Sequence, residues 1–516
     1  MPHTVRDRTH EDQPTPMAVN PKKLRPYDEP PKVRRPLVPD TPDSAATAFL
    51  VVSVLWLAVA TGIGVLWIAT LLFPGQLALN IELQLPIIGT LGIDISRPTV
   101  ESGFTNALVF GWLSNAGFAA ICFVTPRLTG ERLRDDRMGF GAMGLWNVGV
   151  AAGLAGVYIP VIAGSGPLGE FPLPAKGLML LGAVTVLGAM GRTLMAGERR
   201  LPYVSLLFLG LGLLALLGLL TISAAAQFFA LDETPMALLN AFVARGIVTY
   251  WILGAALGSL FYVVPRASGN PLASGGMALL AWLLWAAFAG LSAVGALVDP
   301  SVPFVITTLG SVGTILLVAP VFLAVATLAL TIHGRWSLTL GSGTLAFALV
   351  AMAFLLGTAL LEAIGALRSV QGLVRDTEWE MGVWLMALLG SATFAFFALL
   401  DHAAPRVLRR DWGGSVAVDA QLWATLIGVA LACFALIGAG IAHGSLRAEG
   451  APAEEAQATL SWFLMVAAGG LGLVALGGLA ALVTLFVMYT TARRAEYVPA
   501  VEAPAGEVPA GAQTAH

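Results

Sequence analysis

Residues 362–406 read EAIGALRSVQGLVRDTEWEMGVWLMALLGSATFAFFALLDHAAPR. The stretch opens on the end of one long apolar run, which carries a carboxylate at Glu362. A short polar loop follows, Arg375-Asp376-Thr377-Glu378-Trp379, and then a second apolar run ends in Pro405-Arg406. Apolar runs of about 20 residues joined by a few polar ones read as membrane helices, because only a helix satisfies its own backbone in lipid.

Working outward, the same texture covers the chain. Of 516 residues, 57% are hydrophobic and 11% are charged, against about 25% charged in soluble domains. The chain therefore reads as an all-α polytopic membrane protein embedded in the lipid bilayer. Nothing in it resembles a nucleotide loop, a nucleophile with its base, or a nucleic-acid surface, so no nucleic-acid partner is expected. The two cysteines, Cys122 and Cys433, lie within apolar runs with no metal-ligand spacing and read as packing residues.

Three segments are expected: a disordered cytoplasmic tail over 1–45, a twelve-helix membrane domain over 46–494, and a second disordered tail over 495–516. The first tail is rich in Pro and charge, with Lys22, Lys23, Arg25, Lys32, Arg34 and Arg35, and cannot bury enough apolar surface to fold alone. The spans fall near 46–74, 104–127, 138–163, 175–195, 202–229, 236–265, 273–298, 302–333, 338–367, 380–404, 419–444 and 457–491. Arginines cluster after even-numbered spans, at Arg127, Arg132, Arg134 and Arg137, at Arg192, Arg199 and Arg200, and at Arg406, Arg409 and Arg410. The alternate loops are mostly acidic, so the positive-inside bias puts both termini in the cytoplasm of a cell (inner) membrane protein. No internal repeat is legible, and the cover provided by the loop near 75–103 is not readable.

The opening stretch resembles the ninth and tenth spans of the catalytic subunit of haem-copper oxidases, in the branch of cbb-type cytochrome c oxidases and bacterial nitric oxide reductases. The family frame reads Glu-Gly-Pro, Lys-Ser-Val-Asn, Thr-Asp-Trp and Gly-His-Val-His. This chain has Glu362-Ala363-Ile364, Arg368-Ser369-Val370-Gln371, Thr377-Glu378-Trp379 and Gly382-Val383-Trp384-Leu385. Span 2 reads FTNALVFGWLSNAGFAAICFVTPRLTG, similar to the family's His-Thr-Asn-Ala, Phe-Gly-Trp and Pro-Arg-Leu. Span 3 carries Leu145-Trp146-Asn147, and span 6 ends Phe261-Tyr262-Val263-Val264-Pro265-Arg266 where the family has Tyr-Tyr-Phe-Val-Pro-Lys. The resemblance implies a twelve-helix subunit I-like bundle, two haems, a copper ion and partner subunits of a respiratory complex.

The ligands that this resemblance implies are missing. The haem-ligand positions fall on Phe104, Val383 and Leu385, and the copper-ligand positions on Arg245 and on two of Leu291, Ser292 and Ala293. Among six histidines, His3, His10 and His516 lie in the tails, and His333, His402 and His443 near span ends. Haem iron takes imidazole, thiolate, thioether or phenolate, and copper of this kind takes clustered imidazoles. Neither haem nor copper is therefore expected; a single haem held by Met or Tyr is the one remaining route.

Two charges remain inside the apolar runs, Arg245 and Glu362, each costing about 2.5–3.5 kcal/mol even on mild insertion scales. The expectation is that they pair in the emptied copper pocket, the alternative being separate satisfaction by carbonyls or water. Asp401 and His402 are weaker proton-relay candidates at the inner end of span 10. Asn106, Asn115, Asn147 and Asn240 read as inter-helix hydrogen-bonding groups.

Three functions compete. The first is a non-redox, structural or assembly-related subunit I-like component of a respiratory complex. The second is a transporter or proton conductor using the Arg245/Glu362 cavity. The third is an active cytochrome c oxidase or nitric oxide reductase, against which the missing ligands argue.

Overall fold

The computed structural model describes residues 43–73, 79–85, 89–133, 136–159, 164, 166–197, 202–297, 301–408 and 415–491. Apart from 43–45, the two tails expected from sequence lie outside the described residues. The membrane unit contains twelve helices long and apolar enough to span a bilayer, at Ser44–Leu72, Arg97–Thr129, Arg137–Val157, Leu173–Ala196, Val204–Phe228, Glu233–Ser268, Gly275–Val294, Phe304–Ile332, Gly343–Gly365, Glu378–Leu408, Val416–Glu449 and Ala458–Met488. These are spans 1–12.

Several limits differ from the sequence expectation, each for a local reason. Span 2 starts seven residues before 104, because Ser96 and Thr99 form a reciprocal capping box and Pro98 fits the first turn. Span 9 starts at Gly343 instead of near 338, because the Ser342 hydroxyl accepts from Leu345 N–H and fixes a new N-terminus after the short helix Leu338–Gly341. Span 10 takes in Glu378 and Trp379, since Thr377 caps it by accepting from Trp379 N–H. The segment before it, Arg368–Val374, is a separate short helix, and Asp376 turns the chain at φ 56°, a conformation tolerated by Asp.

Spans 2, 6 and 10 form the axis of the bundle. Their most apolar stretches are 100%, 94% and 94% buried, against 33–56% for the other nine. All three also widen into π-helical turns, at Ala107–Leu113, Ile247–Leu253 and Met386–Ala392. Hydroxyls support the wider turn in two of them: Ser114 donates to Val109 C=O and Thr393 to Leu388 C=O, each five residues back. The same hydroxyls accept from indoles of neighbouring spans, Trp251 Nε1 to Ser114 at 2.9 Å and Trp112 Nε1 to Thr393 at 3.2 Å. Each axial helix then ends in Pro-Arg, at Pro126-Arg127, Pro265-Arg266 and Pro405-Arg406. A local threefold pattern is thus present where no repeat was legible.

The polar residues expected to join helices do so around span 3: Asn147 exchanges hydrogen bonds with Asn115 at 2.9 and 3.0 Å and accepts from Trp56 Nε1 at 2.6 Å. Both cysteines are buried and free. The loop before span 2 folds as an antiparallel pair, β1 Leu79–Leu85 and β2 Gly89–Ile95, in register Leu79 to Ile95. Asp94 N–H donates to Tyr158 C=O at 2.9 Å, which ties this hairpin to the end of span 3.

Candidate functional site

A cavity of about 980 Å³ lies at one end of the bundle. Its walls follow helical spacing, with residues three and four apart sharing a face. Span 2 contributes Arg97, Glu101, Ser102 and Thr105; span 6 contributes Ala241, Ala244 and Arg245. Span 9 and the turn after it present Glu362, Gly365 and Ala366, and span 10 presents Glu380, Val383 and Trp384. Glu170, from the loop between spans 3 and 4, and Arg375 and Asp376 complete the charged lining.

At the cavity floor, Arg245 Nη2 donates to Glu362 Oε2 at 2.7 Å. The Arg245 and Glu362 side chains are 27% and 23% exposed, so the pair sits against the cavity and is not sealed in the bundle. Arg245 Nε and Nη2 also approach the Ser292 hydroxyl at 3.3 Å, and Ser292 lies 3.1 Å from Thr314 Oγ1. Spans 6, 7, 8 and 9 are joined by this one network. Spans 7 and 8 can approach so closely because a Cβ at Gly310 would lie 2.3 Å from Gly295 Cα, where only glycine fits.

The structure thereby brings together three of the sequence candidates, Arg245, Ser292 and Glu362. Val383 lines the same cavity, whereas Leu291 and Ala293 flank Ser292 on span 7 and are not among the cavity-lining residues. Phe104 turns away from the cavity and stacks on Trp67, with centroids 5.3 Å apart and planes 20° apart. The gap beside that stack is about 30 Å³. Leu385 is 2% exposed in the core. The π-helical turns begin at Ala107, Ile247 and Met386, within three residues of Phe104, Arg245 and Leu385 respectively.

Asp401 and His402 lie elsewhere. They are 18 and 19 residues beyond Val383 on span 10, about 27–28 Å at 1.5 Å per residue. Asp401 accepts from the Thr344 hydroxyl, and the His402 ring packs edge-on against Phe123 and Tyr262. His443 Nδ1 meets Glu378 Oε2 at 2.9 Å, and His333 ends span 8.

The donor set does not fit the groups that the fold implies. The three haem positions offer a phenyl ring and two aliphatic chains, and the copper positions a guanidinium, a hydroxyl and alkyl groups. The Ser292 hydroxyl is already engaged. No group of three or more His, Cys, Asp or Glu side chains able to hold a metal occurs among the described residues. This arrangement can hold charge and polar ligands; it provides no imidazole, thiolate or thioether at the six positions.

Glu170, Glu380 and Trp384 were missed from sequence. Glu170 accepts from Ser102 at 2.7 Å and from Asn106 at 3.0 Å, while Lys176 Nζ donates to Gly169 C=O behind it. Burial pushes the Glu170 carboxyl above the usual carboxylate range, against the opposing pull of those hydrogen bonds and of Lys176. The i, i+4 spacing of Glu380 and Trp384 was the available signal for a shared helix face, although without a fold it gave no direction.

Comparisons with known proteins agree with this architecture. The chain is 24% identical over 411 residues to the cbb3-type cytochrome c oxidase subunit CcoN1 of Stutzerimonas stutzeri, covering 77% of this chain and 82% of that protein. Its fold matches a haem-copper terminal oxidase solved as a dimer by cryo-electron microscopy, with a TM-score of 0.70 and 13% identity over 89% of this chain and 86% of the other. The profile of the cytochrome c and quinol oxidase polypeptide I family matches residues 44–474, and the chain belongs to that family.

Proposed function

We propose that the chain is a subunit I-like membrane component of a cbb-type oxidase or nitric oxide reductase-like respiratory complex, without a haem-copper centre of its own. Its role is structural, accessory or in assembly, and its partners are other subunits of that complex. One observation carries the reading: Arg245 and Ser292, at two positions where the family resemblance implies copper ligands, touch each other, and Arg245 also binds Glu362. The positions converge as ligands would, but with side chains that hold no copper. The positive-inside bias puts the cavity at the outer face and both termini in the cytoplasm.

A proton-conducting or transport role has the cavity in its favour. Inward of that cavity, however, the axis is filled by Trp112, Trp251 and Phe394, each 1% exposed or less. The subunit role therefore stands first.

The test is the visible spectrum of the purified, detergent-solubilised protein, oxidised and dithionite-reduced, with a pyridine haemochrome assay. No Soret band is expected, together with copurification of redox subunits from native membranes. Two haems per chain would overturn the reading and restore an active oxidase. Passive proton flux in proteoliposomes that is lost in Arg245→Leu would favour conduction.

A further inference from the structure

The cavity carries five carboxylates against three guanidinium groups. Arg245 is committed to Glu362, and Arg375 lies 3.8 Å from Asp376 in an exposed contact. Glu170 takes its hydrogen bonds from neutral donors, with Lys176 behind the wall offsetting part of its charge. The negative surplus therefore gathers on the span 10 side, at Glu380 in the first turn of the helix and at Asp376 in the turn before its cap.

On that same face stands Trp384, one turn beyond Glu380, with Trp379 beside it. Carboxylates and indoles lining one cavity suit an organic cation, since the ring face and the negative charge both favour it. Val383, Met381 and Leu168 supply apolar wall, and the volume is that of a site for a small molecule. A metal ion would instead need a compact oxygen cage, and an anion would meet the surplus of like charge.

We propose that this cavity binds a small amphiphilic organic cation, an ammonium group on an apolar body, with its charge at Asp376 and Glu380 against Trp384. The proposal rests on the reading that no haem-copper centre fills the space.

Benzyltrimethylammonium is titrated into full-length detergent-solubilised protein by isothermal calorimetry, with benzenesulfonate as the anionic counterpart and haem content measured on the same sample. Saturable, one-to-one binding of the ammonium and none of the sulfonate is expected. Glu380→Gln and Trp384→Leu each weaken it about tenfold. Trp384→Phe keeps most of the affinity, and Asp419→Asn, exposed on span 11, changes nothing. Three results overturn the proposal: sulfonate binding as tight as ammonium, no saturable ammonium binding to haem-free protein, or full affinity in both Glu380→Gln and Trp384→Leu of wild-type thermal stability. Haem-loaded protein that binds no ammonium overturns instead the reading on which the proposal rests.

Discussion

Removing one member of the Arg245–Glu362 pair strands the other, and the size of that effect follows from where the pair sits. Breaking a buried ion pair costs about 3–5 kcal/mol, whereas an exposed pair contributes about 0–1. With roughly a quarter of each side chain exposed, the pair falls between these limits. Arg245→Leu or Glu362→Leu alone should cost about 2–3 kcal/mol. The Arg245 variant loses the Ser292 hydrogen bonds as well, about 1 kcal/mol more. The double variant leaves no unmatched charge, and two leucines suit an apolar wall, so most of the loss should return. The assay is the fraction of monodisperse protein that survives graded heating, read by size-exclusion chromatography in one detergent. Both single variants should melt several degrees early, and the double should melt closer to wild type than either. A double variant no better than the worse single would refute the pairing argument.

Other consequences can be measured in the same format. The raised Glu170 carboxyl faces Ser102 and Asn106 from span 2 and Lys176 from span 4. A carboxyl raised by folding contributes its stability fully below the unfolded value near 4.5 and loses it as pH climbs through the folded value. Wild type should therefore lose more stability than Glu170→Gln between pH 4.5 and 8, and the opposite slope would sink the argument. Thr393→Val leaves Trp112 Nε1 buried without its acceptor and should cost about 1–3 kcal/mol; a variant as stable as wild type would show that another acceptor is in reach. Gly310→Leu must push spans 7 and 8 apart, because the new Cβ meets backbone at 2.3 Å. It should cost about 1–3 kcal/mol or more, and an unchanged melting point would mean that the two spans are not held that closely.

The parts of this fold legible in the sequence are those written in composition. Twelve apolar runs gave twelve spans, because lipid imposes length and apolarity on any spanning helix. Arg245 and Glu362 were legible as candidates because a charge in an apolar run is rare. The limits were less legible: Ser96, Ser342 and Thr377 cap the helices through side-chain hydroxyls that look alike in any loop. The hairpin at Leu79–Ile95 was overlooked although LNIELQL alternates with period 2, a pattern for a half-buried strand. The π-helical turns had no sequence signal; two of them lean on Ser114 and Thr393, whose hydroxyls meet indoles of other spans. The cavity wall at Glu170 and Glu380 was hard to read for a similar reason, because its charges come from elements far apart in the chain.

The positions where the family resemblance implies haem and copper ligands share one physical property. Each side chain there meets the demands of its own surroundings. Phe104 gains a stacked indole, worth about 0.5–1.5 kcal/mol beyond area, and closes the gap beside it to about 30 Å³. Arg245 has an opposite charge and a hydroxyl within reach, so the charge that would otherwise be costly in an apolar run is matched. Val383 and Leu385 are 5% and 2% exposed and extend the apolar core. Around Phe104 the packing leaves a gap of about 30 Å³, whereas Arg245 and Val383 border the cavity of about 980 Å³. Here the contacts among spans 2, 6, 7, 9 and 10 are supplied by stacking, packing and one ion-pair network. On the proposed reading of the chain as a subunit without a haem-copper centre, these contacts would hold the bundle together with no metal cross-link.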